Sequence, residues 1–290
     1  MAFCSKERRN LPMKPSSITL GICQLAVTAD KALNISKAES MITAAAKANC
    51  QVAILPEMFN CPYQAELFNQ YAELYPEGDT FKMLAQVAAK EKIAVVGGSV
   101  PERDEQGKIY NTSFIFDETG GLVGRHRKMH LFDVDIAGGT VFKESSILSP
   151  GQDITLVKVA GLTLGVGICY DIRFPELSRL MTLAGADLLI FPGVFGMTTG
   201  PAHWELLMRS RAVDNQVFIV GAAPANFYEA PYQAYGHSMV VDPWGRILSV
   251  ADAEEKMFVV KIDLEVINKV RAELPLLKHR RTDLYEVCHI

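Results

Sequence analysis

The sequence predicts an α/β fold built as a four-layer αββα sandwich, and three features carry that expectation. Short apolar runs of strand length recur along the chain, segments of helical character alternate with them, and no Ser-, Gly- or charge-rich linker divides the series. A chain of 290 residues with 49% hydrophobic and 21% charged residues has enough apolar surface for a sizeable core. Many strands with helices between them bury both sheet faces best as two sheets packed together and covered by helices outside.

The elements follow in order. Ile18 to Val27 reads as a buried strand, the Ala-rich Lys31 to Asn49 as a helix, and QVAIL at 51–55 as a second strand. A helix is expected around Thr80 to Lys92 and a strand at Ile93 to Ser99. Strands near Asn111 to Phe116 and Leu122 to Arg127 flank the turn Glu118-Thr119-Gly120-Gly121. From Met129 to Pro150 the pattern lapses into a Gly-bearing loop, long for a passive connection. Strands at Ile154 to Val159 and Leu162 to Ile168, a helix from Pro175, a strand at Asp187 to Phe191 and a helix at Ala202 to Asn215 come next. Strands at Val217 to Ala223 and Ser238 to Val241, the Asp242-Pro243-Trp244-Gly245 turn and a strand near Met257 to Ile262 complete the series. Residues 1–17 are expected to form a loosely ordered extension and 18–290 a single domain.

Composition narrows the partners. The net charge is −4 and the basic residues form no block that tracks phosphates, which argues against nucleic acid. Leu183 to Val194, among the longest apolar stretches, is broken by Gly, Asp and Pro and is too short for a membrane helix. The start carries Lys6, Arg8, Arg9 and Lys14 without the apolar core of a secretory signal, so the expected compartment is the cytoplasm, with a mitochondrial form left open. The six cysteines lack zinc or redox spacing and are expected to be reduced thiols, most of them packing residues.

One cysteine differs in its setting. Cys169 follows LTLGVGI, a buried strand, and precedes YDIRFPEL, in which Pro175 opens a helix. A thiol at such a bend projects from the strand end, where the Tyr170 N–H is free to serve a developing oxyanion. In AILPEMF, Glu57 stands where a strand ends and a loop begins; in GRHRKMHLFD, Lys128 ends another strand. A thiol with a pKa near ~8.5 needs a base to take its proton and a cation to stabilise the anion, so Glu57 and Lys128 suit a cysteine nucleophile. The cation is expected to favour the thiolate. The competing readings are a buried packing cysteine and a structural Glu57–Lys128 ion pair.

Together these segments resemble the nitrilase superfamily, carbon–nitrogen hydrolases with a Glu-Lys-Cys triad. The matching stretches are LPEMFNCPY, HRKMHLFDVDI and GVGICYDIRFPEL, supported by YNTSFIF, FKES, LSPG, GPAHWELLMRSRAVDNQ and YGHSMVVDPWG. Within the superfamily the chain is most similar to the Nit2-type omega-amidases. That resemblance implies hydrolysis of the terminal amide of 2-oxoglutaramate and 2-oxosuccinamate through a thioester, without metal or cofactor. It also implies an αββα subunit that dimerises to αββα-αββα, and Glu144 as a second active-site glutamate beside Lys128. Met58 departs from the pattern, since relatives often have Cys there.

Arg173, four residues after the nucleophile, is the candidate for gripping a substrate carboxylate; its alternative is an ion pair with Asp171 or Glu176. Phe195 and Thr199 are candidate pocket walls, and Cys61 is close to Glu57 in sequence. His126 and His130 are four apart but on strand and loop, so hydrogen bonding around the site is expected rather than a metal. Nitriles and N-carbamoyl compounds suit the same triad, and a binding or signalling protein on the same scaffold is the rival of another class.

Overall fold

A computed structural model of the chain describes residues 15–227, 230 and 232–289. Positions 1–14 of the expected extension, with Cys4, lie outside the described residues, and strand pairing starts already at Ser17. In chain order the strands are β1 (Ser17–Gln24), β2 (Val52–Ile54), β3 (Glu73–Leu74), β4 (Ala94–Val96), β5 (Val100–Arg103), β6 (Ile109–Phe116), β7 (Leu122–Arg127), β8 (Asp133–Asp135) and β9 (Val141–Lys143). They continue as β10 (Thr155–Val159), β11 (Leu162–Val166), β12 (Leu188–Pro192), β13 (Phe218–Ala222), β14 (Met239–Val241), β15 (Ile247–Val250) and β16 (Lys256–Asp263). The helices are α1 (Lys31–Lys47), α2 (Ala65–Tyr71), α3 (Asp79–Glu91), α4 (Pro175–Leu183), α5 (Gly200–Asn215) and α6 (Glu265–Glu273).

The first sheet runs β16-β1-β2-β4-β6-β5-β3, with β7 also paired to β6; the second runs β10-β11-β12-β13-β14-β15. In each, a parallel core (β1, β2 and β4; β11, β12 and β13) is flanked by antiparallel strands.

Side-chain alternation builds the layers. Ile18, Leu20, Ile22, Val52 and Ile54 of the first sheet pack against Leu164, Val166, Leu188, Ile190 and Val220 of the second in one central core. The opposite faces are covered by helices. Cys23, Ala53, Leu55 and Val95 meet α1 and α3, while Leu189, Phe191 and Ile219 meet α4 and α5. Local chemistry sets the helix ends: the Asp30 side chain accepts from Leu33 N–H at 3.0 Å to cap α1, and Pro175 occupies the first turn of α4. The αββα expectation therefore holds.

Several boundaries differ from the expectation. The first strand ends at Gln24 rather than Val27, and the Ile93 to Ser99 strand is cut to Ala94–Val96. The Met129 to Pro150 segment is not plain loop: β8 and β9 pair as a hairpin, and a 3₁₀ turn follows at Glu144–Ser146. No helix among the described residues is long and apolar enough to cross a membrane.

Candidate active site

Three strand ends converge. Glu57 lies just beyond β2, Cys169 just beyond β11 and Val194 just beyond β12, the carboxyl ends of parallel strands where α/β sheets place their ligands. Lys128 follows β7, its N–H bonded to Asn111 O and its carbonyl to Gly151 N–H, both at 2.8 Å. Glycine is required at Gly98, with φ of +54° and a hypothetical Cβ that would overlap Pro56 O. That close approach lets Ser99 hold the Glu57 segment, its N–H donating to Pro56 O at 3.1 Å and its Oγ accepting from Met58 N–H at 3.1 Å.

The structure brings Glu57, Lys128, Glu144 and Cys169 into one buried cluster, with exposures of 0%, 1%, 0% and 4%. Lys128 Nζ donates to Glu57 Oε1 at 3.0 Å and to Glu144 Oε1 at 2.9 Å. An ammonium has three N–H donors, so one is left for a substrate oxygen. Glu57 Oε1 also accepts from Asn111 Nδ2 at 2.7 Å and Oε2 from Val194 N–H at 2.7 Å. Glu144 is held by Tyr63 Oη at 2.8 Å and by Phe132 N–H at 2.7 Å. Cys169 Sγ lies 3.9 Å from Val194 O, so one residue, Val194, touches both Glu57 and the thiol.

Cys169 opens the 3₁₀ turn Cys169–Arg173 with φ of +48°, a left-handed conformation of the kind stored at functional bends. The first hydrogen bond of the turn, Asp171 N–H to Ile168 O at 3.0 Å, leaves the Tyr170 N–H ahead of the bonded ladder.

Lys128 does favour the thiolate, but burial and a carboxylate oppose it. Burial pushes the Cys169 thiol well above its ordinary pKa, the Glu57 charge pushes the same way, and Lys128 offsets only part of this. Burial also raises Glu57, against the pull of Lys128. Burial opposes the charge on Lys128, but Glu144 and Glu57 outweigh it and hold the ammonium well above its usual range. The thiol is thus held toward its neutral form and the lysine toward its charged form.

A narrow pocket adjoins the thiol, lined by Cys169, Tyr170, Arg173, Phe195 and Thr199 among others. A second shares Val194 and Tyr232 with it and carries Glu57, Met58 and Cys61 on its wall. Arg173 makes no ion pair with Asp171 or Glu176. Its guanidinium lies 4.9 Å from the centre of the Phe195 ring and 5.7 Å from that of Tyr170, and its Nε is buried without a hydrogen-bond partner among the described residues. His126 and His130 both turn to Asp171.

The comparisons with known proteins bear on this cluster. The sequence profile described as carbon–nitrogen hydrolase matches residues 19–272. The chain belongs to the carbon–nitrogen hydrolase family. It is 47% identical to omega-amidase NIT2 of Danio rerio and 44% identical to omega-amidase NIT2 of Homo sapiens, each match covering 94% of this chain and 98% of the relative. Among solved structures, Saccharomyces cerevisiae Nit3, of branch 10 of the nitrilase superfamily, is 42% identical with a TM-score of 0.85, over 92% of this chain and 98% of that one. The C. elegans NitFhit protein is 33% identical with a TM-score of 0.86, over 95% of this chain and 68% of that one.

In this carbon–nitrogen hydrolase several residues at the site escaped the sequence reading as individuals. Asn111, Tyr63 and the Val194 N–H hold the carboxylates, and Asp171 ties the Cys169 turn to the Lys128 segment. Two signals were available: Asn111 is a polar side chain inside the fully buried run IYNTSFIF, and Asp171 is a carboxylate two residues from the thiol.

Proposed function

We propose that this chain is an omega-amidase that hydrolyses the terminal amide of small 2-oxo-dicarboxylic acid monoamides, 2-oxoglutaramate and 2-oxosuccinamate, to dicarboxylate and ammonia. The observation that carries this reading is Arg173, on the wall of the pocket that holds Cys169, with no ion-pair partner and an unpartnered buried Nε among the described residues. The omega-amidase relatives support it at 44–47% identity.

In this reading Arg173 grips the substrate's far carboxylate in a fork, with Phe195 and Thr199 as walls. Glu57 takes the thiol proton as sulfur attacks the amide carbon; the third Lys128 N–H and the Tyr170 N–H stabilise the oxyanion. Collapse breaks the C–N bond, and protonated Glu57 returns its proton to the leaving nitrogen, giving ammonia and a thioester. Glu57 then takes a proton from water, hydroxide adds to the thioester, and the sulfur leaves with the proton Glu57 returns. Glu144 holds Lys128 in place and balances its charge.

The chemistry needs reduced Cys169, which suits the reading of a cytoplasmic protein, with a mitochondrial location as the alternative. The subunit is read as one domain that forms a homodimer, with Leu206, Val213 and Trp244 supplying exposed apolar surface at 61%, 40% and 49%.

The test is ammonia release by pure protein from 2-oxoglutaramate, 2-oxosuccinamate, glutamine, asparagine, an aliphatic nitrile and N-carbamoyl-β-alanine, with Arg173→Ala alongside. Preference for the two oxo-acid amides, lost in the variant, is the expected result. Preference for the nitrile or the carbamoyl compound overturns the substrate assignment.

A further inference from the structure

We propose that His203 is a positioning residue for substrate selection: by holding one edge of the Arg173 guanidinium it turns the other edge to the substrate's carboxylate. The inference rests on the reading of Arg173 given above.

His203 Nδ1 lies 3.2 Å from Arg173 Nη1. Arginine offers donors and no acceptor, so the imidazole presents a lone pair at Nδ1, accepts from Nη1–H and carries its own proton on Nε2. This is the one directional contact on the guanidinium among the described residues; the rings of Phe195 and Tyr170 confine its faces without fixing its rotation. The buried Nε has no hydrogen-bond partner among the described residues. A buried donor left unsatisfied is costly, and a carboxylate in the adjoining pocket relieves that cost only if the planar fork is aligned with it.

The surroundings hold both ends of this contact. His203 lies in the first turn of α5, its N–H donating to Thr199 O at 2.9 Å. The next residue, Trp204, is fully buried, donates Nε1–H to His237 O at 2.7 Å and packs on Phe195 with ring centres 4.9 Å apart. On the other side Arg211 grips the backbone of the turn, Nε to Ile172 O at 2.9 Å and Nη2 to Arg173 O at 3.1 Å. The backbone of Arg173 and the imidazole are thus both anchored by α5.

The experiment compares His203→Ala, His203→Gln, Arg173→Ala and the His203→Ala/Arg173→Ala double variant on 2-oxosuccinamate and on a neutral amide of similar size. In His203→Ala the ratio of acidic to neutral kcat/KM falls about tenfold, the loss carried by KM for the acidic amide. His203→Gln, whose amide oxygen also accepts, recovers most of it, and adding His203→Ala to Arg173→Ala lowers the ratio no further. A His203→Ala loss that falls on kcat for both amides alike, or that persists at full size in the Arg173→Ala background, overturns the proposal. If Arg173→Ala abolishes the discrimination and His203→Ala leaves it intact, the role of His203 alone fails. If Arg173→Ala itself leaves the discrimination intact, the carboxylate reading fails and His203 falls with it.

Discussion

Asp171 Oδ1 accepts from His130 twice, from its backbone N–H at 2.9 Å and from its ring Nδ1 at 2.7 Å. The other oxygen accepts from Ile168 N–H at 2.9 Å and faces His126 Nε2 at 3.1 Å. One fully buried carboxylate therefore joins the residue before the Cys169 thiol to residues on both sides of Lys128. Asp171→Asn removes half of that acceptor capacity. Small misplacements of reacting groups are costly, so kcat should fall about 100-fold with a smaller change in KM. Steady-state kinetics check this; a fall in KM recognition alone would contradict it.

The same carboxylate makes stability depend on acid. Burial works against its charge, but the His126 and His130 contacts outweigh burial and hold its pKa well below the usual carboxylate range. A depressed folded pKa contributes stability that is present above the unfolded value and lost as pH falls below it. Denaturant unfolding between pH 6 and 3 should show wild type losing stability below about pH 4, with Asp171→Asn less stable at pH 6 by roughly 3–5 kcal/mol and flatter toward acid.

Because burial and the Glu57 charge keep the thiol neutral, Cys169 should show no thiolate absorbance at neutral pH in the free enzyme. Iodoacetamide labelling should be slow and rise with pH, and Glu57→Gln should speed it at neutral pH by removing a charge that disfavours the thiolate. A thiolate absorbance at pH 7 that disappears in Cys169→Ala would contradict the neutral-thiol resting state.

Lys128 separates two carboxylates, Glu57 and Glu144, inside the protein. Lys128→Met leaves both without their cation and should cost roughly 3–5 kcal/mol, along with at least about 100-fold in kcat. Adding Glu144→Gln removes one of the stranded charges and should restore part of the stability and none of the activity. Chemical denaturation and turnover, measured on the same samples, separate the two effects.

Gly98 links backbone shape to chemistry. Gly98→Ala meets both a positive φ and the Pro56 carbonyl, so the Glu57 segment must shift. Stability should fall by about 1–3 kcal/mol, and activity should fall more steeply than at a residue remote from the site. Unaltered kcat would separate Glu57's position from this packing.

The layered fold was legible because its strands bury both faces. Apolar runs such as LTLGVGI and QVAIL announce themselves by composition. Elements with weaker patterns were not: α2, α6, the two-residue β3 and the β8–β9 hairpin are short or half exposed, and their residues are shared between loop and element chemistry. At the site, residue types at strand ends pointed to Glu57, Lys128 and Cys169. The pull of Lys128 on the Cys169 thiol was legible because a nearby cation is visible in sequence, while burial and a competing carboxylate, which push the thiol up, are properties of the assembled site. Asp171, Tyr63 and His203 act through contacts 30 to 81 residues distant, which no local pattern encodes.

The most direct test of the central claim is to acid-quench the enzyme during turnover of 2-oxosuccinamate and weigh the peptide that contains Cys169. The account predicts an acyl adduct of the substrate's acid portion on Cys169 as a thioester, absent from Cys169→Ala, which should release no ammonia. Ammonia release retained in pure Cys169→Ala would contradict it.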